Sequence, residues 1–94
     1  MKINFSRKLE YFYENHPQSK KLLISWSKRI KIISPKHFVE LGKFFQQADQ
    51  VGEFTVFNIG SNYRLIARIN YESQQVIIRE VLPHKDYERG KWKN

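Results

Sequence analysis

The second half of the chain concentrates side chains that could bind and cleave a phosphodiester. They are three arginines at strand-like positions, followed by a histidine and a tyrosine: Arg64, Arg68, Arg79, His84 and Tyr87. Arginine is permanently charged and can hold two phosphate oxygens at once. Histidine exchanges protons near neutral pH, and a tyrosine beside cations can exchange a proton or stack on a base. Together these residues predict acid–base chemistry at a phosphate ester.

The sequence predicts no metal site. Its histidines, His16, His37 and His84, are far apart and lack carboxylates at ligand spacing; there is no HExxH motif, no Walker loop and no cysteine. RNA can be cleaved without a metal because its 2′-hydroxyl is an internal nucleophile. Such a reaction needs a base, an acid for the leaving 5′-oxygen and cations around the transition state. We therefore expect an activity that needs no cofactor and survives chelation of metals.

Each candidate residue also has a purely structural interpretation. His84 could be a surface histidine at a turn, and Tyr87 could be a packing residue whose hydroxyl faces water. The strand arginines could pair with carboxylates across the sheet, and Arg79 could form an ion pair with Glu53 or Glu72. Residue types by themselves leave catalysis undecided between these interpretations.

The first half of the chain is predicted to form the helices that support this site. An alternating pattern at residues 2–5 predicts a short first strand, and apolar residues at helical spacing then continue to His16, where Pro17 ends a first helix. A second helix begins near Pro17, and Ser34-Pro35 precedes a short third helix. The predicted apolar stripe of the second helix consists of Leu22, Leu23, Trp26, Ile30 and Ile33.

The pattern then changes to strands. Residues 54–59 and 63–71 are rich in β-branched and aromatic residues and flank Gly60-Ser61-Asn62, which predicts a hairpin. Residues 75–82 predict a third strand that Pro83 stops. Residues 46–53 are interpreted as a connection, and the last eleven residues as a polar tail with two aromatics.

Alternation of side chains along these strands places the candidate residues. Arg64 and Arg68 are predicted to share one face of their strand, and Arg79 to share a face with Ile77 and Val81. Helices followed by strands predict a single α+β domain over residues 1–94. Its N-terminal strand and two or three helices pack on a mostly antiparallel sheet that ends in a three-strand meander. One sheet face packs on the helices, which leaves the other available for a site.

Charge and hydropathy indicate the class of partner. The formal net charge is +8, from 17 Lys and Arg against 9 Asp and Glu, and such a field attracts nucleic acid or a strongly acidic protein. No stretch approaches 18 apolar residues and the N-terminus lacks a signal-peptide pattern. We therefore expect a cytoplasmic protein with no membrane partner.

The hairpin and the strand after it resemble those of HigB-type mRNA interferases in the RelE/ParE toxin superfamily. Residues 54–71, FTVFNIGSNYRLIARINY, are similar to the family pattern VFNIGGNxYRLxxxINY. Residues 76–87, VIIREVLPHKDY, are similar to VFIRxVxTHxEYD. Upstream, His16-Pro17 and the segment ADQVG at residues 48–52 also fit. The resemblance covers roughly the whole chain.

Two positions depart from the family pattern. Ser61 stands where the family has a second turn glycine, and Pro83 stands where a threonine usually precedes the histidine. Neither change removes a candidate catalytic group, although Pro83 could alter how His84 is presented.

The resemblance implies a RelE-like α+β toxin that cleaves mRNA, usually on the translating ribosome, by attack of the 2′-hydroxyl. It also implies a HigA-type antitoxin with a helix-turn-helix domain, held with the toxin in a hetero-oligomer. By position, Arg64 matches the arginine that contacts the scissile phosphate, His84 and Tyr87 match the catalytic C-terminal segment, and Arg79 matches a family arginine. The cations expected to contact RNA around the site are Arg68, Lys85, Lys91 and Lys93.

Two other functions remain open at this point. The first is a gyrase-poisoning toxin on the same fold, although His84 and Tyr87 favour acid–base chemistry instead. The second is a non-catalytic module that binds RNA or the ribosome. A basic run at residues 20–36 could face RNA, dock an antitoxin or simply be a solvated helix face.

Overall fold

The apolar spacing of the first half and the alternation of the second produce one sheet with helices on one of its faces. The computed structural model describes residues 1–93. Its elements are β1 (Lys2–Asn4), α1 (Arg7–Asn15), a 3₁₀ turn (Pro17–Ser19), α2 (Lys20–Lys31), α3 (Phe38–Phe44), β2 (Asp49–Val51), β3 (Phe54–Ile59), β4 (Tyr63–Asn70), β5 (Gln75–Pro83), α4 (His84–Glu88) and a second 3₁₀ turn (Lys91–Lys93).

The five strands have the order β1-β5-β4-β3-β2. The meander β3–β4–β5 is antiparallel, as predicted, and β1 adds a parallel edge strand along β5. The predicted α+β class with a mostly antiparallel sheet is therefore confirmed.

The interpretation of residues 46–53 as a connection was wrong in part. β2 lies within this segment and pairs antiparallel with β3, its Val51 opposite Phe54. Aspartate is depleted in strands and only Val51 of this segment is apolar, so pairing with β3, rather than local preference, accounts for this three-residue strand. Gly52, at φ +61°, allows the tight return between the two strands.

The helices cover one sheet face and form the larger core. Leu23 and Ile30 of α2 and Leu41 of α3 are fully buried in the same cluster as Phe57 and Leu65 of the sheet. Leu22, which we placed on the buried stripe, is instead 42% exposed. Four of the five predicted stripe residues are buried. The predicted helical period is therefore confirmed, and the buried stripe is narrower than predicted.

Leu22 packs against the hairpin turn. Gly60, in the turn between β3 and β4, has φ +61°, and a Cβ at this position would lie 2.9 Å from Leu22 Cδ1. Both the left-handed backbone and the close approach therefore require glycine here. The turn that precedes β4 is thus anchored to α2.

The second sheet face carries a smaller cluster closed by the end of the chain. Val56, Ile66 and Trp92 are buried together, and Phe54 and Tyr87 pack against them. The interpretation of residues 84–94 as a polar tail was therefore wrong for the part that the structure describes. Trp92 is only 4% exposed, so the 3₁₀ turn that contains it lies against the sheet.

A β-bulge in β5 changes which of its residues face the helices. Ala67 pairs with Ile78 and Ile66 pairs with Glu80, so Arg79 is the extra residue. Val81 consequently lies in the helix-side core, as Ile78 does. The expectation that Arg79, Ile77 and Val81 share a face was wrong for Val81, because an extra residue shifts the alternation by one.

We expect Trp92→Ala to lower the free energy of unfolding by about 3 kcal/mol, because it removes a buried indole and leaves a cavity in its place. The loss also removes the hydrogen bond from Trp92 Nε1 to the Tyr87 carbonyl (3.0 Å). Urea unfolding followed by circular dichroism measures the change. Trp92→Phe is the matched control and should recover most of the stability, whereas equal stability of Trp92→Ala and wild type would show that the C-terminal turn contributes nothing.

Candidate functional site

The register of β4 and β5 brings the candidate arginine and histidine to one end of the sheet. Arg64 lies opposite Leu82, and Tyr63 lies opposite Pro83, which immediately precedes His84. The backbone N–H of His84 donates to the carbonyl of Asn62 (2.8 Å). Cross-strand partners project to the same face, so Arg64 shares the face on which Leu82 packs with the C-terminal cluster.

Arg64 is oriented by backbone carbonyls. Its Nη1 donates to the carbonyl oxygens of Tyr63 (2.8 Å) and Ser61 (3.4 Å). Among residues 1–93, no carboxylate lies within 4 Å of its guanidinium. The half-buried side chain is thus held in place while its charge remains available to an anion.

His84 begins α4 and is paired within that helix. Its Nδ1 lies 3.0 Å from Oε1 of Glu88, one helical turn later, and the imidazole is 43% exposed. A carboxylate on one ring nitrogen orients the ring and leaves the other nitrogen to exchange a proton. Pro83 precedes the helix in an extended conformation (φ −60°, ψ 150°), so this departure from the family pattern is compatible with an ordered histidine.

Sequence reasoning missed Glu88. The signal was its four-residue spacing from His84, which places two side chains on the same face of a helix. That spacing was uninformative as long as residues 84–94 were interpreted as an irregular tail. The acidic residue thus became recognisable only once α4 was known.

Tyr87 is held by aromatic packing. Its ring stacks on Trp92, with centroids 5.2 Å apart and planes 13° from parallel, and its carbonyl accepts the indole N–H. Tyr87 is half-buried. The packing role considered for it is therefore real, and any catalytic role would be carried by the hydroxyl of an already fixed ring.

Arg79 lies at the bulge, where the alternation of side chains along β5 shifts by one residue. Its guanidinium lies 6.0 Å from the ring centroid of Phe54. Glu53, one of the two carboxylates considered as a partner for Arg79, instead pairs with Arg68 at 2.5 Å. The bulge separates Arg79 from Leu82 and so from the end of the sheet where Arg64 and His84 meet.

The four predicted RNA-contacting cations have different surroundings. Arg68 is paired with Glu53 and lies over the ring of Phe54, 5.5 Å from its centroid. Lys85, Lys91 and Lys93 are exposed on α4 and the turn after it. Arg68 is therefore partly neutralised, whereas the three lysines are exposed within the C-terminal segment that contains His84.

The other two histidines make structural contacts away from this end of the sheet. His16 stacks on Phe12, with centroids 4.1 Å apart, and His37 caps α3 by accepting from the backbone N–H of Glu40 (3.4 Å). Burial raises the pKa of the Tyr71 phenol, but Tyr71 follows the far end of β4.

Within residues 1–93, no three metal-binding side chains come together, and no helix has the length and apolar character to cross a membrane.

Comparison with known proteins places these residues in a family context. Residues 19–90 match the family model described as HigB_toxin, RelE-like toxic component of a toxin-antitoxin system. The chain is 34% identical over 79 residues to the mRNA interferase toxin HigB of Escherichia coli K12, covering 80% of this chain and 76% of that protein. The mRNA interferases HigB of Escherichia coli O157:H7 and Shigella flexneri match with the same identity and coverage.

Proposed function

Since the chain belongs to the HigB family of RelE-like toxins, we propose that it is an endoribonuclease that cleaves mRNA and that its catalytic side chains are Arg64, His84, Tyr87 and Arg79. The observation that carries the assignment is the register that sets Arg64 beside the first turn of α4. Two groups are then neighbours at one end of the sheet. One is the guanidinium of Arg64, which is held by backbone carbonyls and has no carboxylate partner among the described residues. The other is the imidazole of His84, which the carboxylate of Glu88 orients.

The proposed reaction uses the substrate's own nucleophile. The 2′-oxygen attacks the adjacent phosphorus, the bond from phosphorus to the 5′-oxygen breaks, and the products are a 2′,3′-cyclic phosphate and a 5′-hydroxyl. The 2′-hydroxyl proton goes to a base and the leaving oxygen receives a proton from an acid. His84 serves one of these proton transfers, and the hydroxyl of Tyr87, on the same helix, serves the other.

The cations stabilise the charge that develops at phosphorus. Arg64 holds the scissile phosphate and stabilises the extra negative charge of the transition state. Glu88 acts as a positioning residue, because its carboxylate lies 3.0 Å from Nδ1 of His84 and keeps the imidazole oriented. Arg79, beyond the bulge, contacts an adjoining phosphate, and Lys85, Lys91 and Lys93 add to the attraction of the RNA backbone.

We further propose the cellular setting. The net charge of +8 suits a polyanionic substrate, and the ribosome would present the mRNA in the cytoplasm. The antitoxin would be a HigA-type helix-turn-helix protein that forms a hetero-oligomer with this chain. The antitoxin partner follows from the family, whereas its type and the use of the ribosome are the finer parts of the proposal.

The test is to induce the chain alone and sequence RNA 5′ ends. New cuts within coding regions should appear with 5′-hydroxyl ends, and growth should stop until the antitoxin is supplied. Arg64→Ala, induced to the same level, should give few cuts. Intact transcripts together with gyrase-dependent DNA breaks would favour the gyrase-poisoning alternative, and tight RNA binding without any cut products would favour a non-catalytic module.

A further inference from the structure

Phe5, in the turn between β1 and α1, combines an unfavourable backbone with an exposed ring. Its φ is +64°, a region that bulky residues rarely adopt because Cβ meets the backbone. Its side chain is 63% exposed, so burial of the ring does not compensate for this conformation. Strained residues of this kind are concentrated at functional sites.

A basic side chain lies beside the exposed ring of Phe5. Lys8 Nζ lies 5.4 Å from the centroid of the Phe5 ring and donates to the carbonyl of Arg79 at the bulge (3.1 Å). This bond ties the start of α1 to the irregular part of β5. The cleft beside it is lined by Phe5, Lys8, Phe54, Arg68, Ile77 and Arg79.

The lining of the cleft therefore includes two aromatic rings and three cationic side chains. Phe54 is half-buried and lies under the guanidinium groups of Arg68 and Arg79. Glu53 offsets the charge of Arg68, whereas the ammonium of Lys8 donates to a backbone carbonyl and keeps its positive charge at the cleft. Aromatic surfaces next to cations are the combination that binds single-stranded nucleic acid, because bases stack and phosphates pair.

We propose that this cleft binds an unpaired nucleotide of the RNA beside the cleavage site, with its base on the Phe5 ring and its phosphate near Lys8 and Arg79. The proposal rests on the proposed endoribonuclease function and adds a subsite to it. Arg68, at the cleft, is about 13 Å along β4 from Arg64. The cleft is thus too far from Arg64 to hold the scissile phosphate itself and suits a flanking nucleotide.

The decisive variant is Phe5→Gly. Glycine adopts a positive φ without strain, so the variant should fold at least as well as wild type while lacking the ring. Binding is measured by fluorescence anisotropy with a labelled ten-nucleotide single-stranded RNA that is 2′-O-methylated throughout, since it has no free 2′-hydroxyl to react. We expect about a tenfold increase in Kd, with a thermal midpoint that is unchanged or raised.

The matched control is Phe44→Ala. Phe44 is an equally large, exposed phenylalanine (48%) at the end of α3, outside the cleft, so the Kd for the same RNA should not change. With a cleavable RNA, Phe5→Gly should raise KM and leave kcat near the wild-type value, a split that loss of fold would not produce. Phe5→Trp, which restores a stacking surface, should recover binding.

Three results would contradict the subsite. Wild-type RNA affinity in a well-folded Phe5→Gly protein would overturn it, and so would weaker antitoxin binding with unchanged RNA binding, which would assign the cleft to the protein partner. A wild-type protein that neither binds nor cuts RNA would overturn the proposed function as well. The first two results leave that function intact, so the two failures are distinguishable.

Discussion

Replacing Arg64 by alanine should lower the turnover of RNA cleavage by about 10²–10³-fold, the usual scale for removing one donor that stabilises a charged transition state. The guanidinium is held by the carbonyls of Tyr63 and Ser61 and, among residues 1–93, no carboxylate within 4 Å neutralises it. The interaction of this guanidinium with the scissile phosphate should strengthen as negative charge develops at phosphorus. Turnover should therefore fall much more than RNA affinity.

Arg64→Lys should restore activity only in part, because an ammonium cannot reproduce the two parallel hydrogen bonds of a guanidinium. Lys43→Ala, which removes an exposed cation on α3, is the charge-matched control and should cleave at the wild-type rate. Single-turnover cleavage of a programmed ribosome, with folding checked by circular dichroism, measures these rates. Normal cleavage per folded molecule in Arg64→Ala would remove this residue from the site.

His84→Ala should lower the cleavage rate by about 10²–10⁴-fold, the range expected for losing a general acid or base. Imidazole changes its charge between about pH 5 and 8, so the variant should also lose part of the pH dependence that wild type shows in this interval. The single-turnover assay, repeated across this pH range, checks both effects. A purely structural histidine would instead lower the melting temperature and leave the pH profile unchanged.

The same assay tests whether Glu88 acts through His84. Glu88→Gln removes the carboxylate that lies 3.0 Å from Nδ1 of His84 and should lower the cleavage rate less than His84→Ala does. In the His84→Ala background it should cost nothing further, because coupled residues are not additive. Asp86→Asn, which alters the other acidic residue of α4 and its pair with Arg89 (3.5 Å), is the control and should cleave at the wild-type rate. Additive effects of His84→Ala and Glu88→Gln would falsify the coupling.

The fold could be predicted from the sequence wherever local pattern and tertiary environment agree. The 3.6-residue period of α2 anticipated the burial of Leu23, Trp26 and Ile30, and β-branched residues around a glycine turn anticipated the β3–β4 hairpin. These elements are long or strongly patterned, so their local preferences are sufficient to specify them.

Short elements were missed because their stability comes from contacts distant in sequence. β2 has three residues, only one of them apolar, and exists because β3 offers hydrogen bonds. α4 has five residues and none of them is buried. Trp92, which follows it in the chain, is buried against Val56 and Ile66, and no local pattern indicates such a docking.

The sequence by itself determined the chemical groups, their family pattern and the α+β order of elements, since these depend on residue types and on periodicities of two or 3.6. Only the tertiary structure decided how the groups are arranged. The bulge at Arg79 reverses the alternation before Val81, the strand register sets Arg64 beside α4, and Lys8 ties the Phe5 turn to β5. Each of these features depends on pairing between residues far apart in the chain, where the free energy of an interaction belongs to both partners and neither segment encodes it alone.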